Sequence, residues 1–268
     1  MNKYNLKFKS ISKIVVSPRS LKILYKGVDF REDDLVKPYS NLEKEESNKI
    51  TVIYPFYNYK DKLDEMIEKP EYYLPGSSIK GSIFPKEEDI RCDDIKLGKE
   101  DIVLDLLYKV IDYDEEKCQK SEKDLKIPKY KNFFENLGVE MINFGKEFET
   151  DIISVKKKNI LEMLKKANEK TIDKLNRFTN KIEKVIFCLK KIKEKEAINE
   201  LNKLEKILNE IKKIIKKYSK EKDKMITFIG GFKGKVGTIY QMKEDIKTGL
   251  YFDSKTYLPY GLVEIKIS

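Results

Sequence analysis

The stretch YYLPGSSIKGSIF, residues 72–84, combines a Pro-Gly turn with two hydroxyls, a lysine and an apolar run. The proline fixes its own φ and the glycine can adopt a positive φ, so the backbone can reverse direction here. Ser77 or Ser78 can cap a helix entered at Ile79, whose N–H groups and dipole favour a phosphate beside the Lys80 ammonium. The stretch therefore predicts a capped turn before a core helix, which serves either packing alone or anion binding.

Composition points to a folded chain with polyanionic partners. The 268 residues are 40% apolar, which is enough to fill the core of one large domain or two small ones. Lys and Arg number 56 against 46 Asp and Glu, which gives a net charge of +10 and a pI of about 9.1. The sequence has no histidine, and so it lacks the usual general base near neutral pH and the commonest metal ligand.

The three cysteines and the N-terminus bear on cellular location. Cys92, Cys118 and Cys188 are widely spaced and odd in number, which fits neither a zinc pattern nor a closed disulfide framework. We expect them to be reduced thiols in a cytosolic protein. No apolar run resembles a signal peptide or approaches the roughly 20 residues of a membrane span. We therefore expect a cytoplasmic chain with no membrane partner, and we expect no cofactor and no small-molecule substrate.

Hydrophobic periodicity divides the chain into three segments: 1–154, 155–224 and 225–268. The first and last segments are rich in strand patterns, whereas residues 155–223 contain no Gly or Pro and carry apolar residues at steps of three and four. The helical stripes change phase across residues 193–197, which predicts two helices joined by a turn or kink. The predicted strands are 4–16, 21–25, 50–57, 90–96, 102–110, 139–142, 148–152, 225–229 and 258–267, with a short helix at 60–69.

The helical segment carries the chain's positive charge. Residues 156–224 hold 23 Lys and Arg but only 11 Asp and Glu, a surplus of 12 against 10 for the whole chain. Lysine-rich helices commonly present such a face to solvent. The alternative is a basic surface for a nucleic-acid backbone or an acidic neighbour.

A glycine-rich basic segment follows the helices. In residues 225–238, a strand pattern leads into four glycines interleaved with Lys233 and Lys235. Glycines let the main chain approach a ligand closely, and the lysines add charge beside exposed N–H groups. The spacing matches neither a Walker A motif nor a GxGxxG fingerprint, so the sequence gives no support for nucleotide hydrolysis.

Four segments, taken in order, resemble the RAMP proteins of CRISPR effector complexes. Residues 75–83 resemble the PGSSxKG motif, and 91–95 resemble the strand that follows it in that family. Residues 139–149 resemble the xExIxxGxxFE strand pair. The segment 230–238, with 259–263 after it, resembles the family's glycine loop and closing strand. The combination is most similar to the type III-A (Csm) subunit that caps the 3′ end of the guide RNA.

The resemblance implies an α+β fold with a ferredoxin-like (RRM-like) core and a long helical insertion. It also implies a non-catalytic RNA-binding role in antiviral defence, with crRNA and other Csm subunits, namely the RAMP backbone and the small subunit, as partners. Phosphates and bases of single-stranded RNA would be held without side-chain chemistry. The implied RNA-binding residues are Ser77, Ser78, Lys80, Gly230, Gly231, Lys233, Gly234 and Lys235.

Two other functions fit the same residues. Related RAMP endoribonucleases share the fold and glycine loop but commonly use His, which this sequence lacks. A target-cleaving subunit needs a loop aspartate, for which Asp29, Asp33 or Asp34 would be candidates, and no motif selects among them. The long helices would also suit a protein–protein adaptor.

Overall fold

The computed structural model describes residues 1–16, 23–31, 35, 39, 42–60, 69–120, 126–221, 223–238 and 249–267. Two sequence predictions concern residues outside these ranges. They are most of the helix at 60–69 and the candidate aspartates Asp33 and Asp34.

The described residues form strands and helices whose bounds are as follows. The strands are β1 (Asn2–Ser10), β2 (Leu24–Tyr25), β3 (Val52–Tyr54), β4 (Tyr72–Leu74), β5 (Ile90–Cys92), β6 (Ile95–Leu97), β7 (Ile102–Leu106), β8 (Tyr108–Ile111), β9 (Lys129–Asn132), β10 (Leu137–Ile142), β11 (Glu147–Ser154), β12 (Met225–Phe228), β13 (Leu250–Tyr251) and β14 (Leu262–Ile267). The helices are α1 (Lys44–Lys49), α2 (Gly76–Ile83), α3 (Glu115–Lys120), α4 (Ile160–Lys190), α5 (Lys195–Tyr218) and α6 (Gly234–Thr238).

An antiparallel sheet of five strands, in the order β12-β14-β1-β11-β5, joins the two ends of the chain. Its central strand β1 pairs with β11 along eight residues and with β14 along five. The alternation of Leu6 and Phe8 with lysines explains the pairing, because the apolar residues share the buried face. A four-stranded sheet in the order β2-β3-β10-β7, a three-stranded sheet and a two-stranded sheet flank it.

The two helices that the periodicity predicts are present as α4 and α5. They lie antiparallel and close to each other, because Lys190 pairs with Glu205 near their connection and Glu183 pairs with Lys212 further from it. The apolar stripe of α4 is buried with strand β12, and Leu175 and Phe178 are completely inaccessible. The helical pair is therefore part of the core rather than an arm in solvent, while the three-segment division of the chain stays a prediction.

The α+β class is confirmed, but two sequence predictions are wrong in detail. The predicted strands 90–96 and 102–110 are each two strands, interrupted at residues 93–94 and at Leu107. The expectation of reduced thiols is also wrong for two cysteines, because the fold brings Cys118 of α3 and Cys188 of α4 together as a disulfide and leaves Cys92 free. Cysteine chemistry thus gives no argument for a cytosolic location. None of the helices in the described ranges combines the length and apolar character needed to cross a membrane.

Candidate nucleic-acid interface

The Pro-Gly turn leads into helix α2, as the sequence predicts, but the helix begins earlier and is capped differently. Pro75 occupies the N-cap position, and no side chain caps the helix from within the turn. Instead, the Gly76 N–H donates to Asp94 Oδ1 at 2.7 Å. An Asp94 carboxylate from the strand connection therefore already occupies the anion position that the sequence assigns to a ligand.

Gly76 is needed for packing and not for a positive φ. It is absent from the glycines with positive φ, and an added Cβ would lie 2.1 Å from the Cys92 carbonyl oxygen. Because a Cβ cannot approach an oxygen that closely, only glycine allows α2 to lie against the end of β5.

The glycine loop after β12 is fixed to the chain that leaves β1. Gly230 has a φ of 86°, and its added Cβ would lie 2.2 Å from the Val15 carbonyl oxygen, to which the Gly231 N–H donates at 2.7 Å. The close approach at Gly230 is thus to the protein's own backbone. At Gly231 an added Cβ would make only ordinary contact, at 3.7 Å.

The second half of the predicted loop is not a loop. Residues Gly234–Thr238 form the short helix α6. An added Cβ at Gly237 would lie 2.5 Å from Lys233 Cβ. The absence of a side chain at position 237 therefore leaves room for the Lys233 side chain.

These elements enclose an open groove of about 410 Å³, which we call the serine groove. One wall is α2 and the other is the glycine loop, two regions separated by about 150 positions in the sequence. The Ser77 and Ser78 side chains make no hydrogen bond within the described part of the chain. Their hydroxyls are therefore available to a ligand. The residues that argue for ligand binding here are Ser77, Ser78, Ser82, Gly230, Gly231 and Lys233.

Three of the eight sequence-predicted residues do not line this groove. Lys80 lies on α2 near Cys92: burial raises the pKa of the Cys92 thiol to about 11, and the Lys80 charge partly opposes that rise. Gly234, with a φ of 63°, begins α6, and Lys235 is exposed and does not line the groove.

Lys233 is the cation of the site, and its environment is unusual. Burial, followed by the charge of Lys174 on α4, lowers the pKa of Lys233 to about 8. Its Nζ lies 6.0 Å from the Phe228 ring centre, and no carboxylate pairs with it among the described residues. A desolvated ammonium without a counter-ion is costly, so this position favours an anionic ligand.

Sequence reasoning missed the residues that complete the walls. Val15, Val16 and Phe232 line the serine groove because the chain after β1 runs beneath the glycine loop. That long-range contact leaves no local signature. Tyr57 also lines the groove and is half-exposed, and the sequence signal that could have found it is an aromatic residue at the end of the predicted strand 50–57.

Of the three candidate catalytic aspartates, Asp29 lies among the described residues. Asp29 accepts a hydrogen bond from the Tyr25 N–H at 2.8 Å, within a local turn closed by Gly27. Across the described ranges, no group of three or more Cys, Asp or Glu side chains is placed to hold a metal ion.

Comparisons with known proteins add a distant structural likeness. No family model matches the chain, and no curated protein matches it. One solved chain, from the "Cryo-EM structure of Csm-crRNA-target RNA ternary complex in type III-A CRISPR-Cas system", aligns over 98% of this chain and 100% of its own. The identity is 11% and the TM-score is 0.47, so the case for function rests on this chain's own residues.

Proposed function

We propose that the chain is a non-catalytic RNA-binding subunit of a type III-A CRISPR-Cas (Csm) interference complex, and that it corresponds to the fifth Csm subunit. In this role it caps and stabilises the 3′ end of the crRNA, supports crRNA maturation and acts in antiviral defence in the cytoplasm. The five-stranded sheet and its helices would be the ferredoxin-like core of a RAMP protein. The observation that carries the proposal is that the PGSS helix and the glycine loop, two of the four segments resembling RAMP motifs, form one groove.

The chemistry of the serine groove suits a phosphodiester backbone. Hydroxyls of Ser77 and Ser78 can donate to phosphate oxygens, the Lys233 ammonium supplies charge, and Gly231 presents a wall without a side chain. Such contacts position a strand without reading its bases, which fits a subunit that holds guides of differing sequence.

The test measures the affinity of the purified chain for single-stranded RNA over a range of salt concentrations. We expect the affinity to fall steeply with salt, with a logarithmic slope of about 0.7 for each phosphate neutralised. Replacing Ser77 and Ser78 together by Ala should weaken binding by about tenfold, the effect of roughly 1.4 kcal/mol. Lys80→Ala, a charge change on the same helix but outside the groove, is the matched control and should have a much smaller effect.

The competing functions give different outcomes in the same experiment. Binding that is absent or insensitive to salt would contradict the RNA role and favour the adaptor. RNA cleavage that a single Asp or Tyr substitution abolishes would contradict the non-catalytic role and favour the endoribonuclease. Protection of the 3′ end of RNA that co-purifies with the chain and other subunits would support the capping role.

A further inference from the structure

A second groove adjoins the serine groove and opens along helix α4. It has a volume of about 430 Å³ and shares Gly81, Ser82, Phe228 and Lys233 with the first groove. We call it the lysine groove, after the cationic side chains that line it: Lys86, Lys166, Lys170, Lys174 and Lys233.

The lysines of α4 reach this groove because of their spacing. Positions 166, 170 and 174 are four apart, so they lie on one face of the helix, with Thr171 beside them. The adjoining face of α4 carries the buried apolar stripe that packs on β12, and Ala167 and Thr171 at the edge of that face also line the groove. The packing of the helical pair thus turns part of the segment's positive charge toward the sheet rather than toward open solvent.

Two of these cations are partly buried and lack an anionic partner within the described ranges. Lys166 pairs with Glu162 at 2.7 Å, but neither Lys174 nor Lys233 has a hydrogen bond or ion pair to a described residue. Both are partly buried, and burial lowers the pKa of each, with Arg177 and Lys170 adding to the effect at Lys174. Like charges brought together out of water destabilise the empty groove, and a bound anion would relieve that repulsion.

We propose that the lysine groove binds a second stretch of the same single-stranded RNA, with a backbone phosphate shared by Lys174 and Lys233. The inference rests on the proposed function and extends it from one groove to a continuous track. Continuity favours a chain-like anion over a free one, because Lys233 and Ser82 belong to both grooves and both grooves are open. The basic helices thereby gain a specific role, which is to lengthen the RNA site.

The first test measures affinity for a homopolymeric RNA series of about 4 to 16 nucleotides, the range of single-strand site sizes. Lys174→Gln should lower the affinity for the longest RNA by about tenfold. It should also lower the logarithmic salt slope by about 0.7, because one phosphate contact is lost. It should leave the shortest RNA, held by the serine groove alone, nearly unchanged. Lys190→Gln is the matched control, since it removes the same charge from an exposed site about 24 Å further along α4.

The outcomes separate this inference from the proposed function. If Lys174→Gln binds long RNA with wild-type affinity and slope, while the Ser77 and Ser78 double variant is impaired, the lysine groove does not bind RNA and the proposed function stands. If the wild-type chain binds no RNA, both fail. Lys174→Arg, which keeps the charge, should retain affinity for the long RNA. Its failure to do so, in a folded variant, would contradict a simple phosphate contact.

A second measurement does not depend on any variant. The rate of acylation of Lys174, which lines the lysine groove only, is followed by mass spectrometry on the full chain; it should fall when long RNA binds and should be unaffected by short RNA. Protection by inorganic phosphate or by polyglutamate, without protection by RNA, would assign the groove to a small anion or an acidic polypeptide and overturn the proposal.

Discussion

Two partly or fully buried lysines, Lys13 and Lys233, have opposite surroundings. Lys13, in the chain that leaves β1, pairs with Asp105 and with the fully buried Asp253 at 3.1 Å. Burial opposes its charge, but the two carboxylates outweigh burial and hold the pKa of Lys13 above its usual value. At Lys233 burial acts without a carboxylate, and the pKa falls to about 8.

The difference separates charges that the fold uses from charges that await a ligand. The network around Lys13 is closed: Asp253 also accepts from the Thr256 hydroxyl at 2.8 Å and the Lys255 N–H at 3.1 Å. Such a network fixes the backbone between β1 and the closing strand. Lys233 lies at the junction of two open grooves, where only an added anion can complete its surroundings.

The largest expected effect is the loss of stability when Lys13 is removed. Lys13→Met leaves the Asp253 carboxylate buried without its cation, and we expect the free energy of unfolding to fall by about 3–5 kcal/mol. Chemical denaturation at about pH 7 measures it.

Lys233→Met is the matched control, because the same substitution there removes an unfavourable buried charge. It should leave the free energy of unfolding unchanged or slightly higher. An equal loss in both variants would contradict the distinction between the two lysines.

Gly230 and Gly231, beside the serine groove, show the same contrast between a residue that the fold requires and a residue that is available to a ligand. Gly230→Ala combines a φ of 86° with a Cβ that would lie 2.2 Å from the Val15 oxygen, so we expect a loss of about 2–4 kcal/mol. Gly231→Ala has ordinary contacts and should keep its stability, yet its new methyl group enters the groove and should weaken RNA binding. Thermal unfolding and RNA titration of both variants measure the two effects. A destabilised Gly231→Ala would place that residue with the fold instead.

Much of the secondary structure could be predicted from the sequence, but the long-range contacts that form the groove could not. The turn, α2, the α4–α5 pair and the main strands follow from local periodicity and from Gly and Pro, which act over a few residues. The alternation of apolar and polar residues in β1 was sufficient to predict a strand, and the apolar residues at steps of three and four in α4 were sufficient to predict a helix. Only the family resemblance placed Ser77 and Gly231 in one binding site, because no local pattern predicts that they line the same groove.

The sequence could not show which functional groups already have partners inside the protein. The Gly76 N–H is taken by Asp94, the space at Gly230 is filled by Val15, and Cys118 meets Cys188 across 70 positions. Each contact depends on tertiary packing and not on the motif that contains the residue. The spacing of Lys166, Lys170 and Lys174 predicts that they share one face of a helix. It does not predict what that face lies against, because this depends on how the helix packs in the fold.

The disulfide should contribute to the fold and not to the grooves. Reduction of the Cys118–Cys188 bond should lower the free energy of unfolding by about 2–4 kcal/mol. Lys174 is 14 residues from Cys188, about 21 Å along α4, so RNA affinity should not change. Alkylation of the denatured, unreduced chain should modify only Cys92. Alkylation of all three cysteines without reductant would show that the bond is not formed in solution.

The smallest expected effect is the contribution of Lys233 to the pH dependence of stability. Its pKa of about 8 lies below the usual value of 10.5, so the charged form is penalised in the fold. The contribution of Lys233 to stability should therefore rise as the pH increases from about 8 towards the usual lysine pKa, and the difference between the wild-type and Lys233→Met chains over this range measures it. At Lys13 the sign is opposite, since its raised pKa stabilises the fold at lower pH and that stabilisation is lost as the pH rises through it.

RNA affinity should follow the protonation of Lys233. A bound phosphate favours the charged form, so affinity should fall above about pH 8, by at most about tenfold per pH unit, while the free chain loses the proton that the complex retains. Lys233→Arg keeps its charge throughout this range, so its affinity should remain nearly constant. If the wild-type and Lys233→Arg chains respond to pH identically, the phosphate is held by other groups, and the contrast with Lys13 applies to stability alone.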